Sequence, residues 1–93
     1  MKNEDVHLKT SLEVSRIRVS CGIIESIFKE LKHKIIPGIS TYEISEFCII
    51  SMDKKQAKSS SLGFMGFPAT ICTSVNTIAV HGLPGDYRLN EGD

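Results

Sequence analysis

Tryptophan is absent from this chain, tyrosine occurs only twice, and no apolar run approaches the length needed to cross a bilayer. The three cysteines, Cys21, Cys48 and Cys72, are far apart and form no Cys-x-x-Cys pair, which argues against a disulfide framework and fits reduced thiols. Neither charge predominates: eleven basic and eleven acidic side chains give a formal net charge of zero. Nothing general therefore points to DNA or to a membrane surface as a partner. The opening Met1-Lys2-Asn3-Glu4-Asp5 is polar, without an apolar signal-peptide core behind it. The expected setting is soluble and cytoplasmic. Ninety-three residues allow one small domain with limited capacity to bury a core.

What is present falls into two halves. Residues 10 to about 35 read as one long amphipathic helix. Thr10 with Glu13 makes a capping box, in which the hydroxyl accepts an early backbone N–H and the carboxylate reaches back. Ile17, Cys21, Ile24, Phe28, Leu31 and Ile35 recur at spacings of three and four and are expected to form the buried face. Lys32, His33 and Lys34 complement the macrodipole at the C-terminal end, and Pro37-Gly38 stops the helix. Ser40-Thr41-Tyr42-Glu43 repeats the capping pattern and starts a second helix running to about residue 56. Ile44, Phe47, Cys48 and Met52 should face the core, with Glu46, Asp53 and Lys54 outside.

Ser59 to Pro68 breaks both periodicities, and its glycines permit unusual backbone angles and close approach of a ligand or another segment. From Ala69 the β-branched residues dominate, in two runs separated by Asn76, so the pattern predicts a β-hairpin. Pro84-Gly85-Asp86 predicts a second turn, and Asn90-Glu91-Gly92-Asp93 a third that leads toward a further strand. A lone hairpin is marginal and exposes both edges. A larger sheet, completed by sequence outside this chain, is therefore expected. The fold class is α/β (α+β), two helices followed by a hairpin, and residues 1–93 form a single incomplete domain.

Three short motifs in order carry more information than composition. They are Ser-Leu-Gly-Phe-Met-Gly-Phe-Pro-Ala-Thr-Ile-Cys-Thr-Ser-Val-Asn from Ser61, His-Gly-Leu-Pro from His81, and Leu-Asn-Glu-Gly-Asp at the end. Together they resemble the bacterial-type (type I) methionine aminopeptidases, and the helices joined by Pro37-Gly38-Ile39-Ser40-Thr41 look like the same family's N-terminal region. The resemblance implies the N-terminal portion of a "pita-bread" metallopeptidase that removes the initiator methionine from nascent proteins. It implies two divalent ions in the complete enzyme, cobalt, manganese, iron or zinc, which polarise the scissile carbonyl and supply hydroxide near neutral pH. A family histidine that hydrogen-bonds the substrate near the scissile peptide is matched by His81. Ser61, Phe64, Phe67 and Cys72 match an apolar pocket for the methionine side chain, and a thioether packs well against aromatic edges and sulfur. Asn76 and Ile78 match backbone positions of a monovalent-cation site.

The resemblance further implies N-terminal Met peptides as substrates, the ribosome as a place of encounter, no DNA or membrane partner, and a monomer. This sequence departs from the family at Met65, where many relatives have histidine. Thr77 replaces a common glutamate, Val80 a common cysteine, and Ser61 a frequent cysteine. The family's metal ligands lie beyond the matched segment, so no divalent metal is expected on this chain alone and it should be inactive by itself. Asp93 is placed in the turn before the first ligand strand and is not assigned as a ligand. Two alternatives stay open: a non-catalytic peptide- or ribosome-binding module of the same fold, and a proline-directed aminopeptidase.

Overall fold

A computed structural model describes residues 6–93; the polar opening at residues 1–5 lies outside the described residues. The N-terminal half is a pair of packed helices, α1 (Ser11–Leu31) and α2 (Thr41–Lys54). At the start of α1 the capping box is complete. Thr10 Oγ1 accepts the Glu13 N–H at 3.2 Å, and Thr10 N–H donates to Glu13 Oε1 at 2.8 Å. The Glu13 carboxyl consequently titrates below its ordinary range, chiefly through the Thr10 backbone hydrogen bond. Ser40 caps α2 by accepting the Glu43 N–H at 3.0 Å, while its own hydroxyl donates to the Glu43 carboxylate.

Both helices end earlier than their patterns suggest. Lys34 N–H turns back to the Leu31 carbonyl at 2.7 Å, ahead of Pro37. After α2 the chain enters the left-handed region at Gln56 (φ 54°), and Ala57 N–H closes on the Met52 carbonyl. That is a Schellman-type ending with glutamine in the position glycine usually takes.

Ile27, Leu31, Ile44 and Cys48 form the buried core, flanked by half-buried Ile23, Ile39, Phe47, Met52, Ile71 and Leu89. The α2 face is as expected. The α1 face is corrected: Ile17, Cys21, Ile24, Phe28 and Ile35 are exposed, and only Leu31 of that stripe is buried. The physical reason is that α1 carries apolar residues around more than half its circumference, and α2 engages the Ile23–Ile27–Leu31 row. Glu30 staples the pair from the side, accepting from Ser51 Oγ at 2.7 Å and from Lys55 Nζ at 2.6 Å.

The β-hairpin expected from Ala69 onward is also corrected. Among the described residues no strand forms; the turn is present, but its arms share little backbone pairing. With no neighbouring strand on either side, an isolated two-armed ribbon has too few cross-strand contacts to form a ladder. The radius of gyration, 16.0 Å, is correspondingly large against about 12 Å for a compact chain of this length.

Instead, the C-terminal segment docks on the α1–α2 link. Gly38 N–H donates to the Leu89 carbonyl at 2.8 Å, Leu89 N–H to the Ile39 carbonyl at 2.8 Å, and Thr41 N–H to the Tyr87 carbonyl at 3.0 Å. Ser40 and Arg88 form an antiparallel bridge at its centre. Buried Thr41 uses its hydroxyl twice on Gly85, donating to the carbonyl and accepting from the N–H. Arg88 reaches over the link to the Gly38 carbonyl and the Glu43 carboxylate.

Candidate recognition site around His81

Two loops build the candidate site. The first, residues 59–70, is drawn closed by Ser59, whose Oγ donates to the Thr70 carbonyl at 2.6 Å and accepts the Ser61 and Leu62 N–H groups at 3.1 Å each. Inside it, Gly63 (φ 82°), Met65 (φ 49°) and Gly66 (φ 80°) all adopt left-handed geometry. Gly63 N–H donates to the Phe67 carbonyl at 2.8 Å, so Phe64 and Phe67 bracket one tight turn. The glycines accept this backbone freely; Met65 does so at a cost that no contact offsets, since its side chain is 93% exposed.

The second loop carries the histidine. Asn76 turns the chain with φ 52°, and Ile78 N–H closes on the Val75 carbonyl at 3.1 Å. Farther down, Thr73 N–H donates to the Gly82 carbonyl at 2.8 Å, and Gly82 N–H donates to Ser74 Oγ at 3.1 Å. Gly82 is buried, and a Cβ there would overlap the Thr73 carbonyl. Glycine follows the histidine because the two arms pass at backbone contact. His81 itself is left-handed (φ 57°), which turns its imidazole toward the opposite arm: Nδ1 lies 4.0 Å from Cys72 Sγ.

Of the residues singled out from sequence, His81 and Cys72 are brought together directly across the two arms. Ser61 and Phe67 are half-buried, whereas Phe64 is 66% exposed and Cys72 and His81 are open to solvent. The direct approach recorded among these five residues is the one between His81 and Cys72. Asn76 and Ile78 border a different feature, a cleft of about 270 Å³ that also touches Thr73, Leu83 and Tyr87 and none of the His81-side residues. Thr73 Oγ1 is buried in that region without a hydrogen-bond partner.

Among the described residues no three His, Cys, Asp or Glu side chains converge as a metal cluster. Neither do the described helices include one long and apolar enough to cross a membrane. Sequence reasoning missed Ser59, which shapes the first loop, and Thr41, which anchors the segment after Pro84. Ser59 sits two residues before the turn it accepts from, a spacing that signals a hydroxyl-capped turn; Thr41 gave no comparable local signal, since its partner is 44 positions away.

Comparison with known proteins supplies the wider frame. Residues 15–93 match metallopeptidase family M24. The methionine aminopeptidase of Borreliella burgdorferi is 36% identical over 88 residues, covering 95% of this chain and 35% of that protein. The methionine aminopeptidase of Buchnera aphidicola subsp. Schizaphis graminum is 39% identical over 87 residues, 92% of this chain and 33% of its own length. Methionine aminopeptidase 1 of Bacillus subtilis is 40% identical over 85 residues, 91% and 34% of the two chains. The chain thus spans about a third of the length of the curated relatives it matches.

Proposed function

The chain belongs to metallopeptidase family M24, and from that premise we propose that it is the N-terminal, substrate-recognising portion of a type I methionine aminopeptidase, a single incomplete domain of the pita-bread fold. The observation that carries the reading is the His81 loop. A left-handed histidine, a glycine at backbone contact and a cysteine 4.0 Å from the imidazole stand together in the segment shared with proteins named methionine aminopeptidase. In the complete enzyme, His81 donates to or accepts from the peptide next to the scissile bond. Ser61, Phe64, Phe67 and Cys72 form one wall of the slot for the methionine side chain. Such a slot discriminates by only about 1–3 kcal/mol per methylene, so the wall needs a facing surface that presses substrate against it. The carbonyls of Asn76 and Ile78 bound a monovalent-cation position, beside the cleft that these two residues line together with Thr73.

The two divalent ions of the proposal belong to the complete enzyme, and no catalytic step is assigned to an ion held by these residues. Substrates are N-terminal Met peptides of nascent proteins, met in the cytoplasm near the ribosome by a monomer.

A chimera tests the reading directly. Residues 1–93 are joined to the part of the Bacillus subtilis enzyme that lies beyond the matched region and assayed with a Met-Ala-Ser peptide. The expected result is chelator-sensitive methionine release, lowered roughly 10²–10³-fold by His81→Ala, the usual scale for losing one preorganised donor. Undiminished release in the His81→Ala chimera would remove the assigned role. Robust turnover by the 93-residue chain alone would also contradict the proposal.

A further inference from the structure

One carboxylate outside the recognition face gathers more donors than any reading of it as a plain turn residue requires. Asp93 accepts from Asn76 Nδ2 at 2.9 Å, from Tyr87 Oη at 2.8 Å and from the Asn90 N–H at 2.7 Å. Asn90 Nδ2 also donates to Tyr87 Oη at 3.3 Å, so the phenol is held from two sides. The consequences for ionisation are mutual. Asp93 titrates below its ordinary range, first because of Asn76 and then Asn90 and Tyr87, while Tyr87 is pushed up, first by Asp93. Tyr87 is the titratable group among these partners.

The position of this hub explains what it does. The Val75–Ile78 turn is closed by one backbone hydrogen bond, and its Asn76 holds a left-handed conformation that asparagine tolerates but does not favour strongly. The arms below it meet through Thr73 and Gly82. So lightly paired a ribbon needs an anchor outside itself. Asn76 supplies the reach, and Asp93 the fixed point, because the 85–89 segment is already bonded to the α1–α2 link.

We infer that Asp93 is a positioning residue for the His81 loop: its carboxylate clamps the 75–78 turn, through Asn76, to the segment that docks on the helix pair. The clamp keeps the Asn76 and Ile78 carbonyls and the His81–Cys72 face in one frame. It rests on the aminopeptidase reading only for what that frame serves. The chemistry requires an ionised acceptor with two free oxygens. An asparagine in its place turns an NH2 group toward at least one donor and leaves a donor unpaired.

The test uses the full 93-residue chain in a Tyr42→Phe background, so that Tyr87 is the remaining tyrosine. Its phenol is titrated by near-ultraviolet absorbance, and backbone and side-chain amides are followed by two-dimensional NMR. Tyr87 is expected to ionise above the free tyrosine range in the parent, to fall back in Asp93→Asn, and to be partly restored in Asp93→Glu. The Asn76 side-chain amide and the Ile78 N–H should shift in Asp93→Asn while α1 and α2 amides stay in place. Should Asp93→Asn fail to fold, Asn76→Ala removes one donor and leaves Tyr87 bonded. Its expected signature is an Asp93 titration that rises toward the ordinary range and a displaced Ile78 resonance. An unmoved Tyr87 titration in Asp93→Asn, or unmoved Asp93 and Ile78 signals in Asn76→Ala, overturns the clamp. These readouts need no turnover, so an inactive chimera with an intact clamp condemns only the aminopeptidase reading.

Discussion

The helix pair and the loop half of this chain solve the same problem by opposite means. In α1 and α2 the backbone N–H groups beyond the capped first turn find acceptors one turn back along the same helix, and packing adds a small core of Ile27, Leu31, Ile44 and Cys48. Between Ser59 and Asp93 the backbone is held at scattered points: Ser59 on Thr70, Thr73 on Gly82, Thr41 on Gly85, Asp93 on Asn76. Helices satisfy themselves; strands need neighbours. The half that carries His81 is the half whose order depends on partners far along the chain.

Three variants would break or sharpen that contrast, beginning with the heaviest blow. Leu31→Ala is expected to cost about 2–5 kcal/mol, enough to unfold so small a core. Urea titration followed by far-ultraviolet circular dichroism should show the helix signal lost first. A variant that melted at the parent midpoint would mean the core is not where the stability lies. Gly82→Ala should cost about 1–3 kcal/mol by forcing the arms apart, seen as faster hydrogen exchange at Thr73 with helical amides unchanged. If the helical amides exchanged faster too, the two halves would be one cooperative unit and the comparison would fail.

Thr10→Ala removes the α1 cap and should cost about 1 kcal/mol, read as fraying of the first turn in amide exchange. The smallest effect is one of pH. Glu13 has a folded-state pKa below its unfolded value, so its contribution is present above the ordinary glutamate range and fades as pH falls through the lowered value. Thr10→Ala should therefore flatten the acid limb of the α1 amide-exchange profile. A limb as steep as the parent's would assign the dependence to another carboxylate.

Particular residues show how far the pattern could be read. Thr10–Glu13 and Ser40–Glu43 announced both helix starts, because a cap and its partner lie three residues apart. Asn76 announced the turn. The face of α1 was not legible: Leu12, Ile17, Val19, Ile24 and Phe28 are as apolar as Ile23 and Ile27, and only the partner helix selects among rows. The hairpin was overread because β-branched runs report a preference for extended backbone and not the presence of a strand to pair with.

Alone, the sequence determined the two helix N-caps and the turn at Asn76, since each depends on backbone preferences and partners within a few positions. Tertiary structure decided the rest. It chose Ile23, Ile27 and Leu31 as the buried row, required glycine at 82 because the Thr73 carbonyl lies against it, and made Asp93 a fixed point for Asn76. Those outcomes turn on atoms that meet only after the chain has closed on itself, and no local preference encodes which neighbour will arrive.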